Sequence, residues 1–166
     1  MAALGGIATL LGLAGITATS FIYLVPARPA WNTRYTTLEF ALTALTLGSL
    51  FVLAVGDPRG LLVYCAVGAA SAQLMIQMVK FLWLANSEEF ELRASSRLLG
   101  KELRRLLLSR FALLIVGGII LPLAAYPLAA LIAGLAGELL GRYLFFVSVV
   151  PKNMAMSFLG SQQEAA

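Results

Sequence analysis

Near the end of the chain, the stretch "GELLGRYLFFVSVVPKN" (residues 137 to 153) places Glu138 and Arg142 four residues apart in an otherwise apolar run. That spacing puts both on one helix face, where they can pair across a turn. A charge at membrane depth has to face protein, water or a ligand headgroup. Two readings stay open: an internal ion pair that fixes packing, or a site for protons or a quinone headgroup. Gln73, Gln77 and Lys80 lie at spacings of four and three on another apolar run, continuing a small face of Ala66, Ala69 and Ala70. Glu39, at the mouth of a third run, is either a further titratable candidate or a solvated helix-end carboxylate near Arg34. The chain has one cysteine, Cys65, and no histidine. It therefore lacks the residues for a disulfide framework, a cysteine-ligated iron–sulfur cluster or the usual ligation of a b-type haem, and any redox centre belongs to another chain.

The elements that must carry these side chains are set by composition. Of 166 residues, 60% are hydrophobic and 12% charged, outside the range of soluble domains. This predicts an all-α, polytopic transmembrane bundle forming a single membrane domain over residues 1–166. Roughly 20 apolar residues cross about 30 Å of hydrocarbon. Spans are predicted at about 4–25, 37–55, 61–84, 111–126 and 127–150. The fourth is short, starts inside the segment before it and has Pro122 as a kink. Pro127 suits the first turn of the fifth. A signal peptide is the competing reading of the first span, but no basic n-region precedes it. Small residues at spacings of four, three and four (Ala8, Gly12, Gly15, Thr19, and again Ala130, Gly134, Gly137, Gly141) predict close helix–helix interfaces.

The segment 86–110 predicts an interfacial helix capped by Asn86 with Glu89, its basic stripe running through Arg93, Arg97, Lys101 and Arg104. That face suits anionic headgroups or an acidic partner subunit. With an odd number of spans, Arg28, Arg34, this segment and Lys152 fall on the side of the C-terminus, and Arg59 in "GDPRG" falls on the other. The positive-inside rule makes the C-terminus cytoplasmic. The basic charge thus reports orientation in the membrane, and nothing points to nucleic acid. Trp31, flanked by prolines and arginines in "PARPAWNTR", is either a docking anchor or a member of the interfacial aromatic belt.

Three stretches, "LAGITATSFIYLVPARPAWNTRYTTLEFALTALTLGSLF", "ELRASSRLLGKELRRLLLSRFALLIVGGIILPL" and "GELLGRYLFFVSVVPKNMA", resemble the membrane-anchor subunit of dimethyl sulfoxide reductase-type molybdoenzymes, the DmsC family. The resemblance covers almost the whole chain and matches about the last five of that family's eight or so helices; the half that carries the histidine-bearing quinone region has no counterpart here. It implies a subunit, in a bacterial or archaeal cytoplasmic membrane, that holds an iron–sulfur subunit and a molybdopterin catalytic subunit. Such a subunit exchanges electrons with a quinone, and a second membrane chain would complete the site. Molybdopterin and iron–sulfur clusters then reside in the partners, with quinone the one cofactor this chain would touch. Candidates for the quinone site or proton path are Arg28, Glu39, Gln77, Lys80, Glu138 and Arg142, with the headgroup expected at the cytoplasmic edge near Lys80, Glu39 and Arg28. Candidates for partner docking are Arg28, Trp31, Arg34, Lys152 and Asn153. A purely structural assembly subunit and a small transporter are the alternatives; the latter lacks an inverted repeat.

Overall fold

A computed structural model describes residues 2–56 and 60–152, the side chains of the first two excepted. Among these, five helices are long and apolar enough to cross a membrane: Leu4–Phe21, Arg34–Val55, Gly60–Ala85, Arg104–Leu123 and Pro127–Val147. The first lies in α1 (Ala2–Phe21), and the next two are α2 (Arg34–Val55) and α3 (Gly60–Ala85). After the short helix α4 (Phe90–Arg97), the fourth span is assembled from α5 (Arg104–Ile115), a π-helical turn Val116–Ile120 and the single turn α6 (Leu121–Leu123). The fifth is α7 (Pro127–Val147).

The helix ends differ from expectation for local reasons. The first helix stops at Phe21 rather than near residue 25. Pro26 disfavours helical backbone at Val25, and the Tyr23 and Leu24 amides turn back onto the Ser20 and Phe21 carbonyls at 3.2 and 3.1 Å. The last helix stops at Val147 for a similar reason, because Pro151 restrains Val150, whose N–H donates to Ser95 Oγ at 3.1 Å. The segment 86–110 is not one helix. Asn86 does not cap it; its amide closes the end of α3 by donating to Leu82 O, and α4 begins at Phe90 after an extended Glu89. A π-helical turn at Leu98–Glu102 and a break at Leu103 (φ −98°, ψ 12°) then separate α4 from α5. Arg104, Arg105 and Arg110 consequently belong to the fourth span. The π turn at Val116–Ile120 lies where Pro122 would press on the Gly118 carbonyl, and it widens the helix there.

The two small-residue stripes fare differently. On α7, Ala130, Gly134, Gly137 and Gly141 are all buried, and the chain comes closest at Gly117, where a Cβ would collide with Gly134 N and the Ala133 backbone. Only glycine allows that approach. On α1, by contrast, nothing lies within 4 Å of a Cβ built on Gly12 or Gly15, so no other described residue packs closely on that stripe. Just 6% of the α1 span is buried, against 22–33% in the other four. An apolar cluster of Leu50, Leu53, Ala66 and Ala130 packs with Leu62, Val63, Leu121 and Leu131 near the end of α2 and the starts of α3 and α7.

Candidate functional site

Five chain segments meet at one end of the bundle: the turn after α1, the start of α2, the end of α3, the α4–α5 segment and the end of α7. Trp31 rivets them. Its indole N–H donates to Phe145 O at 2.9 Å, its ring stacks on Phe145 with centroids 5.1 Å apart, and the Arg28 guanidinium covers it at 4.5 Å. Tyr23 packs edge-on against both Trp31 and Phe145. The loops are stitched further by Lys152 N–H donating to Ala27 O at 2.9 Å, and by Lys152 Nζ facing the Glu89 carboxylate at 3.5 Å. Of the docking candidates, Arg28, Trp31, Arg34 and Lys152 share this end, although Trp31 spends its N–H and one face inside the chain. Asn153 lies outside the described residues.

Just inside this end is a charged layer. Lys80 Nζ and Glu39 Oε2 form an ion pair at 2.8 Å, with each side chain 12% exposed. Glu39 is thus a buried member of a pair bridging α2 and α3, not a solvated carboxylate near Arg34. Arg28 lies over Trp31 and does not line the cavity that Glu39 and Lys80 share. Arg110, which the sequence suggested only as a topology signal, lines the same cavity as Glu39, Gln77 and Lys80. Its guanidinium lies against Gly141, where a Cβ would come within 2.5 Å of Arg110 Cζ. The clue was available in principle: an arginine at the start of the apolar run "FALLIVGGII" needs a small residue opposite it.

Deeper in the bundle, Glu138 is 4% exposed, and its partners are not on its own helix. Gln73 Nε2 donates to Oε1 at 2.6 Å and Thr43 Oγ1 donates to Oε2 at 2.9 Å. Gln73 also approaches Thr43 Oγ1 and Thr46 Oγ1 at 3.3 and 3.4 Å. No cation lies within 4.0 Å of Glu138 among the described residues. Arg142 instead rests its guanidinium over Phe40, 3.7 Å from the ring centroid. The expected pair across one helical turn is therefore replaced by hydrogen bonds to α2 and α3 and by a cation–π contact. Spacing of four permits contact without requiring it, and the Glu138 carboxylate takes its donors from α2 and α3 instead.

Three voids adjoin these groups. One of about 60 Å³ is lined by Glu39, Gln77, Lys80 and Arg110, with Trp31 and Phe145 above. A second of about 10 Å³ lies between Glu39, Thr43, Arg110, Glu138 and Arg142. The third, an open groove of about 390 Å³, runs between α1 and the α2–α7 pair, with Gly12, Gly15, Phe40, Thr43 and Arg142 in its walls. No group of three or more His, Cys, Asp or Glu residues able to hold a metal occurs among the described residues. The chain matches no protein-family model, no curated protein and no solved structure.

Proposed function

We infer that this multi-pass membrane chain is the anchor and quinone-interacting subunit of an oxidoreductase complex of the molybdopterin and iron–sulfur type, the role that its resemblance to the DmsC family implies. The observation that carries the reading is the charged layer of Glu39, Lys80, Arg110 and Arg142, enclosed by helices of membrane-spanning character directly beneath an end rich in basic residues. Electron exchange with a quinone moves protons as well, so the headgroup needs polar groups beside an apolar approach for its tail.

Size rules out one of the openings beside the charged layer. Ligand pockets run from about 300 to 1,000 Å³, so the enclosed void of about 60 Å³ at Gln77 and Lys80 is too small for a quinone ring. The lipid-facing groove of about 390 Å³ is large enough and reaches Arg142, whose guanidinium can donate hydrogen bonds to a carbonyl oxygen. We place the headgroup there, with α4 and the basic residues around it on the cytoplasmic surface, where they receive the iron–sulfur subunit. The test is purification of the full chain from its native membrane. Molybdenum and iron–sulfur absorbance should accompany it, and Arg142→Leu should lower quinol oxidation while the complex stays assembled. A preparation without those partners overturns the assignment, and unchanged quinol oxidation in Arg142→Leu removes the groove from it.

A further inference from the structure

Gln77 is a buried amide with nothing to bond to among the described residues. It is 6% exposed, and no described residue forms a hydrogen bond with Nε2 or Oε1. An amide buried in this way is strongly unfavourable unless water or a ligand satisfies it. The cavity that Gln77 lines measures about 60 Å³, and a water needs roughly 10–15 Å³ of such space together with polar partners. Glu39, Lys80 and Arg110 on the same wall supply those partners.

The smaller void, about 10 Å³, continues inward. It shares Glu39, Arg110 and Phe145 with the first and ends at Glu138. Room for about one water therefore separates the Glu39 layer from the Glu138 carboxylate. Past Glu138 the buried or half-buried polar groups are Gln73, Thr43, Thr46 and Ser49, and beyond them lies the apolar cluster of Leu50, Leu53, Ala66 and Ala130. The interior is wettable from the loop end and dry towards the other.

We propose that the cavity at Gln77 holds a water cluster that carries protons between the loop end of the bundle and Glu138, which binds and releases them from that side alone. In uptake, a proton passes from loop-side water along the cluster, and the Glu138 carboxylate becomes a neutral carboxylic acid. Release is the reverse, and nothing but water is exchanged. Gln77 orders the cluster through both ends of its amide. The charged groups bearing on Glu138 are Glu39 on α2, Lys80 on α3, Arg110 on α5 and Arg142 on its own helix. The thermodynamic consequence is proton storage within the membrane, and it requires no quinone. Failure of the quinone assignment leaves this proposal standing, and the reverse also holds.

The full chain in lipid vesicles provides the test, by infrared spectroscopy after a pH jump. Acidification should produce the carbonyl band of a buried carboxylic acid, distinct from that of the exposed carboxyl groups, absent in Glu138→Gln and retained in Glu88→Gln, a change at an exposed position outside the cavity. Gln77→Leu should keep the amplitude of that band but slow its appearance by about tenfold, the effect of losing one hydrogen-bonding station along the path. Gln77→Met, a flexible side chain of similar length, should do the same, so a misfolded leucine variant does not decide the matter. A structural role for Gln77 would alter stability without altering the rate. The proposal is overturned if no carbonyl band depends on Glu138, or if both Gln77 variants respond as fast as the parent chain.

Discussion

Replacing Lys80 with methionine should destabilise the bundle far more than replacing Lys80 and Glu39 together. The two charges meet at 2.8 Å with 12% of each side chain exposed, so little water remains to screen a carboxylate left alone. Removing one partner of a buried pair costs about 3–5 kcal/mol. Arg110 lines the same cavity and can partly compensate, which places the expected loss for Lys80→Met near the lower figure, about 3 kcal/mol. Glu39→Leu alone should strand the ammonium comparably, with the Phe145 ring 5.4 Å from Lys80 Nζ as its remaining favourable contact. The double variant Lys80→Met/Glu39→Leu removes both desolvation penalties and should fall within about 1 kcal/mol of the parent. Reversible unfolding in mixed micelles, followed by circular dichroism, gives the three free energies and the coupling between the sites. Additive single effects, or a Lys80→Met loss under about 1 kcal/mol, would show that the pair is solvated and that the charged layer is not buried as described.

Three further outcomes are expected from the same unfolding assay. Gln73→Leu should cost about 2–3 kcal/mol by leaving the Glu138 carboxylate short of its 2.6 Å donor, more than Arg142→Leu; the opposite ranking would restore the pairing of Glu138 with Arg142. Gly117→Ala should cost about 3 kcal/mol, because its Cβ collides with the Gly134 and Ala133 backbone, whereas Gly12→Ala should stay within about 0.5 kcal/mol; equal effects would refute the different packing of the two stripes. Ala125, at φ 60° in the turn before α7, carries left-handed strain, so Ala125→Gly should raise stability by about 1 kcal/mol, and a loss would contradict that backbone assignment.

The existence of five spans was legible in the sequence because apolar runs of bilayer length are the strongest signal a chain carries. Their ends were less so. The fourth span was placed seven residues late, at 111 instead of 104, because Arg104, Arg105 and Arg110 suppress the apolar signal even though long basic side chains can lie along a helix end. The polar residues at issue were also visible as candidates, since charges and amides in apolar runs stand out. Which of them meet was not. Glu138 is hydrogen-bonded to residues 65 and 95 positions away, and helix spacing holds no information about contacts between helices. The stripe on α1 shows the same limit from the other direction: Gly12 and Gly15 have the spacing of an interface, yet the neighbouring helices leave them uncovered.

The slight attachment of α1 sets the order in which the molecule comes apart. This helix packs chiefly against α2, and at its end Tyr23 is held among Trp31, Phe40, Phe145 and Phe146. Regions with few buried contacts open at low free energy, well below the global unfolding of the rest. Warming or harsher detergent should therefore release α1 first, leaving residues 34–147 folded with the charged layer intact. The aromatic knot ties Tyr23 to rings on α2, α7 and the following loop, so much of what retains α1 sits at one end and does not grow with the length of the helix.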